Sequence, residues 1–164
     1  MKPVPISPAP GQESVWNYPR PPRIELTDRH VRVLFNGVTI ADSHNCVRVL
    51  ETSHPPMYYI PLTDVQLYYL SPSLQRTVCE WKGTARYYDL RVDDRAVENA
   101  AWTYPAPRRG YEPLAEYLAF YPALMDACLV DGEKVQPQPG FFYGGWITAD
   151  IVGPFKGEAG SQSW

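Results

Sequence analysis

At 164 residues the chain is long enough for one domain with a real core and short for two. A hydrophobic fraction of 45% argues against disorder of the whole chain, and a net charge of −3 with no Lys/Arg run argues against a general nucleic-acid binder. No apolar stretch approaches the ~20 residues needed to span a bilayer. Nor does an apolar signal core follow Met1-Lys2-Pro3-Val4-Pro5, so a cytoplasmic protein with no membrane partner is expected.

Proline, at 18 residues, is about twice the usual ~5%. Such density breaks long helices, and with 13% aromatics it predicts strands and loops rather than a bundle. Residues 1–30 read as an extended arm ending in a strap, with Trp16 and Tyr18 as anchors along a Pro-fixed path. The body is expected over 31–131. Val31–Phe35 and Val38–Ala41 alternate about Asn36-Gly37, a strong hairpin signal. Cys46–Glu51 and Met57–Ile60 are strands separated by His54-Pro55-Pro56, and Val65–Leu70 is strand-like unless Asp64 caps a short helix. Thr77–Trp81 and Ala85–Val92 form a hairpin about Lys82-Gly83, followed by a turn at Asp93-Asp94 and an extended run to Tyr104. Pro113–Phe120, with Leu114, Tyr117 and Leu118 at helical spacing, predicts the one helix. Residues 132–164 form a Gly/Pro/aromatic tail with Ile147, Ile151, Pro154 and Phe155 as docking points. The fold class is therefore mainly β (α+β): bent antiparallel sheets, barrel- or tent-like, with one short helix and extended ends.

Reactive side chains concentrate in three segments: Glu51–Pro61, Cys79–Tyr88 and Ala101–Pro105. If the fold gathers them, they form one pocket. His54, at a strand end fixed by Pro55-Pro56, is placed to act as general acid or base, or is an ordinary loop histidine. Lys82, before a glycine that admits close backbone approach, suits an anionic group, or is simply solvated. Cys79 is a nucleophile if Lys82 lowers its pKa, although a buried apolar cysteine is the favoured reading. The binding set is Glu51, Tyr58, Tyr59, Trp81, Tyr88, Trp102 and Tyr104, within a wider ring that includes Tyr87 and Tyr121. Because successive strand residues point to opposite faces, only one of each Tyr-Tyr pair can line a given cavity. Cys46, Cys79 and Cys128 form no Cys-x-x-Cys pair and His30, His44 and His54 supply no metal spacing, so neither metal nor cofactor is expected.

Phe35–Ser43, Leu50–Pro61, Cys79–Gly83, Ala101–Pro105 and Ala119–Pro122 occur in the order found in the domain of unknown function 427 family, which the chain resembles over roughly 31–131. The strap Glu13–Pro22 is similar to an extension in one branch of that family. The resemblance implies a compact, mostly β domain with one helix on strongly bent sheets. The family is sometimes labelled nucleotidyltransferase-like, but neither the paired acids with a Gly-Ser signature nor a Gly-rich phosphate loop is visible.

Three functions follow. The first is binding of a small, anionic, partly planar metabolite in an aromatic cleft. The second is a transferase or hydrolase using His54 as base and Lys82 for developing negative charge, with Cys79 as nucleophile. The third is an interaction protein whose strap and tail dock on a second copy to form a homodimer.

Overall fold

The computed structural model describes residues 2–140 and 142–164. The strap supplies β1 (Glu13–Ser14) and β2 (Arg23–Leu26). The Asn36-Gly37 turn closes the expected hairpin between β3 (Val31–Phe35) and β4 (Val38–Ser43), with Gly37 at φ +80°. β5 (Val47–Leu50) and β6 (Met57–Pro61) flank the His54-Pro55-Pro56 break. β7 (Leu70–Cys79) and β8 (Gly83–Val92) form a long hairpin with Glu80-Trp81-Lys82 at its tip, and a turn at Asp93-Asp94 leads to β9 (Arg95–Thr103). β10 (Tyr117–Phe120), β11 (Ala127–Val130) and β12 (Glu133–Lys134) complete the body. The tail adds β13 (Gln136–Pro137), β14 (Trp146–Ile147) and β15 (Ile151–Val152).

Seven strands form one antiparallel sheet in the order β2-β5-β6-β10-β9-β8-β7, and four form a second in the order β12-β11-β3-β4. Register shifts at Val33/Leu34, Pro72/Arg76 and Tyr88/Leu90 bend the strands, as bulges do. The protein is mainly β, and among the described residues no sheet closes into a barrel. Between the two sheets lies the larger core, where Tyr58, Ile60, Leu90, Ala101, Leu118 and Phe120 meet Val31, Val33, Phe35, Ile40 and Cys128. On the opposite face of the seven-stranded sheet a second cluster gathers Val47, Val49, Tyr59, Tyr87, Trp102, Tyr104 and Leu114. The alternation of strand side chains thus sorts the aromatic pairs between two environments.

Two expectations require correction. The predicted helix at Pro113–Phe120 is a short 3-10 helix over Glu112–Glu116 followed directly by β10, and among the described residues no helix reaches seven residues. Leu118, Ala119 and Phe120 are consecutive buried residues because β10 lies between β6 and β9 with both faces covered, which removes the period-two signal. Val65–Tyr69 is likewise not a strand and follows the short-helix alternative, although Asp64 is not its cap. Two 3-10 turns, Leu62–Asp64 and Leu67–Tyr69, occupy the region, and Val65 makes only an isolated bridge to Ala41.

The sheet extends back to Arg23, inside the segment expected to be an arm, because β2 pairs with β5. The two ends of the chain dock on their own body. β1 runs parallel to β15, Trp16 Nε1 donates to the Pro154 carbonyl at 2.9 Å, and the Trp16 and Trp164 rings meet edge-on. Beneath the strap, buried Arg48 bridges Glu13 and Glu25. Among the described residues no helix is long and apolar enough to cross a membrane.

Candidate functional site

Cys79, the last residue of β7, pairs with Gly83, the first of β8, leaving Glu80, Trp81 and Lys82 to make the turn. Gly83 holds φ at +112°, a conformation that residues bearing a Cβ rarely adopt. The tight reversal brings Lys82 to the same side as Cys79, which a continuing strand could not do. A neighbouring loop secures the tip: the Arg108 amide donates to the Lys82 carbonyl at 2.9 Å, and Arg108 Nη1 to the Glu80 carbonyl at 2.5 Å.

The side chains of Cys79, Trp81 and Lys82 join Tyr87, Trp102 and Tyr104 around a cavity of about 200 Å³ on the outer face of the large sheet. Strand register accounts for the gathering. Tyr87 and Trp102 are directly paired across β8 and β9, so their rings share one face. Trp102 Nε1 donates to the Tyr59 hydroxyl at 3.1 Å, tying the wall to the sheet beneath. Burial holds Tyr59, Tyr104 and Tyr121 above the ordinary phenol value, so they remain neutral hydroxyls at physiological pH.

Lys82 is the unusual member. It is only 4% exposed, and its ammonium makes no hydrogen bond or ion pair among the described residues. Its nearest compensation is the face of Tyr104, 5.6 Å from Nζ to the ring centroid. Burial opposes its charge, but Tyr59, Cys79 and Glu51 offset this and hold its pKa above the ordinary ammonium value. The cavity wall therefore presents an ammonium that makes no hydrogen bond or ion pair among the described residues and whose charge is offset only at longer range.

The turn Glu51–His54 forms the second edge of the cavity. The His54 amide closes it on the Glu51 carbonyl at 3.0 Å, with Ser53 at φ +74°. Both ends of the chain hold this strained residue: the Ser53 amide donates to Val15 of the strap, and its carbonyl accepts from Lys156 of the tail. Arg20 Nη2 donates to the Thr52 carbonyl at 2.7 Å, and Arg20 Nε lies 3.6 Å from Glu51.

His54 is 5% exposed, and its tautomer follows from Gln138. Gln138 Oε1 accepts the Gly145 amide at 3.0 Å, so its NH2 group must be the donor to the Lys156 carbonyl at 2.8 Å and to His54 Nδ1 at 3.0 Å. An accepting Nδ1 leaves the ring proton on Nε2, which faces Glu51 Oε2 at 3.6 Å, beyond hydrogen-bond reach. Burial, with Lys156, Arg20 and Lys82 nearby, pushes the imidazole pKa down to about 3. His54 is thus a neutral donor through Nε2.

The fold brings Glu51, His54, Cys79, Trp81, Lys82, Trp102 and Tyr104 to one cavity, as their segments led us to expect. Three residues of the expected binding set are elsewhere. Tyr58 points into the inter-sheet core, stacked on Trp146 at 5.0 Å between centroids. Tyr88 packs against that same core, on the face opposite Tyr87. Tyr59 is wholly buried behind Trp102 and does not reach the cavity. The tail supplies walls that no strand pattern marked. Tyr143 meets His54 edge-on at 4.9 Å, and Lys156 Nζ lies 5.8 Å from the Tyr143 ring. Gly144 lies so close to Trp102 that a Cβ there would stand 2.3 Å from Cη2. The only advance signal was the aromatic and glycine content of Phe142–Gly145.

No curated protein matches the chain. A family model, described as a domain of unknown function (DUF427), matches residues 23–131, the segment that carries Glu51, His54, Cys79, Trp81, Lys82, Trp102 and Tyr104. With two-thirds of its length matched in this way, the chain belongs to the domain of unknown function 427 family.

Proposed function

We propose that the protein binds a small, anionic, partly planar metabolite in this cavity. The observation that carries the reading is the Lys82 ammonium, 4% exposed, unpartnered and facing a hollow walled by Trp81, Trp102 and Tyr104. An ammonium with no directly bonded counter-charge is stabilised by an incoming carboxylate or phosphate oxygen, and the rings offer flat apolar surface for the rest of the ligand. His54 Nε2–H adds a neutral donor at the same rim.

This chemistry favours binding over a transferase or hydrolase. A general base needs a lone pair directed at the substrate, but the Nδ1 lone pair of His54 is engaged by Gln138 and Nε2 carries the proton. A cytoplasmic location accompanies the proposal, where a reducing environment would keep Cys79 on the cavity wall as a thiol.

The test is calorimetric titration with benzoate and phenyl phosphate, each against a neutral counterpart, benzamide and phenol. We expect one or both anions to bind wild-type protein, the neutral pair not to bind, and Lys82→Met to abolish the interaction while the protein stays folded. Equal binding of anion and neutral counterpart, or unchanged binding in Lys82→Met, would overturn the proposal.

A further inference from the structure

The cavity at Lys82 does not end at its aromatic wall. A second hollow of about 310 Å³ adjoins it, and the two share Thr77, Tyr87, Tyr121, Phe142 and Tyr143. The far side of this second hollow differs in chemistry. Gln75, Glu98 and Asn99 line it, and among the described residues no Lys, Arg or His does. Asn99 is held at φ +53° with its amide donating to Asp89 Oδ1 at 2.8 Å, while its Oδ1 accepts from Ser73. Its side-chain NH2 has no partner among the described residues. Between the two hollows, Thr77 Oγ1 and the Tyr87 hydroxyl are 2.9 Å apart, a pair of hydroxyls at the junction.

We infer that the ligand is bipartite: a planar anionic head at Lys82 joined to an uncharged, hydroxyl-rich portion, a sugar or similar polyol, lying between Gln75, Glu98 and Asn99. This rests on the anion-binding proposal above and extends it to a ligand class. Charge sets the orientation. In the first hollow Lys82 and Lys156 balance Glu51 and Glu80, whereas in the second no cation among the described residues balances the Glu98 carboxylate, so an anion is favoured at the Lys82 end and Glu98 accepts hydrogen bonds from hydroxyls. Carboxylate and amide side chains beside exposed aromatic faces match a sugar, which presents vicinal hydroxyls at its edge and C–H groups on its face. Size agrees. The first hollow alone is smaller than the ~300–1,000 Å³ of most small-molecule sites, and the second brings the cleft within that range.

The test compares three probes by calorimetry: benzoate, 4-carboxyphenyl β-glucopyranoside and phenyl β-glucopyranoside. The carboxyphenyl glucoside is expected to bind about tenfold more tightly than benzoate. Glu98→Ala removes that gain and leaves benzoate unchanged, and phenyl glucoside, lacking the anion, binds more weakly than either. Equal affinity of benzoate and the carboxyphenyl glucoside, or a gain that survives in both Glu98→Ala and Gln75→Ala, overturns the bipartite ligand while the anion site stands. Failure of both carboxylates to bind overturns the extension, and failure of phenyl phosphate as well overturns the anion site with it.

Discussion

Gln138 donates to His54 Nδ1 at 3.0 Å, and this contact fixes the proton of a buried imidazole on its other nitrogen. Neither residue can change its hydrogen-bonding role alone. Turning the Gln138 amide would present a carbonyl oxygen to the Lys156 carbonyl and an NH2 to the Gly145 amide, breaking two bonds to accommodate one proton. Protonating His54 without that rotation would set two donors against each other.

This sets an acid sensitivity. The unfolded chain takes up the His54 proton near the ordinary value of ~6.5, whereas the folded protein resists it down to about 3. Below pH 6.5 the unfolded state therefore binds more protons, and stability falls as pH falls until the folded pKa is reached. His54→Asn, whose side-chain oxygen can accept from Gln138, removes this contribution. Urea denaturation at pH 7.5 and 4.5 should show a smaller acid loss in the variant, by about 1–2 kcal/mol. An identical loss in both proteins would contradict the assigned tautomer.

Lys82 is a different case. Because neighbouring groups already offset the burial of its ammonium, Lys82→Met, similar in length and apolar, is expected to change unfolding free energy in the absence of ligand by no more than about 1 kcal/mol. A midpoint shift in urea or heat measures it. A larger loss in Lys82→Met would mean that the ammonium makes a direct bond in solution, and a larger gain that its charge is not offset.

Gly144 faces Trp102 with no room for a methyl group. Gly144→Ala must displace the indole or lift the tail, at a cost of about 1–3 kcal/mol. Because the Trp102 indole is hydrogen-bonded to Tyr59, the tail is the side that gives way. Amide exchange should therefore accelerate at Tyr143–Trp146 with β9 unaffected. Faster exchange throughout β9 would place the displacement at Trp102 instead.

Much of the site could be read from strand parity. Tyr87 against Tyr88 and Trp102 against Ala101 are separated by nothing but alternation, and it places Tyr87 and Trp102 at the cavity and Tyr88 and Ala101 toward the core. Alternation cannot say which face is the open one, so Tyr58 and Tyr88 entered the expected set alongside true wall residues. The hairpin about Lys82-Gly83 was legible from its glycine, whereas the convergence of Cys79 and Lys82 depended on where the turn begins, which strand alternation does not give. Leu114, Tyr117 and Leu118 misled because their spacing fits a helix, while β10 is covered on both faces. Gln138, Tyr143 and Lys156 were beyond reach for another reason. They lie in segments broken by Gly and Pro, with no period, and reach His54 only through long-range docking.

That docking divides responsibility for the cavity. The ammonium and most of the rings lie within residues 23–131, whereas Gln138, Tyr143, Gly144 and Lys156 come from beyond them. A chain that kept the shared segment and exchanged its flanks would retain the positive point and recast the surface opposite it. Selectivity could then drift between relatives through their termini, with the sheet itself untouched.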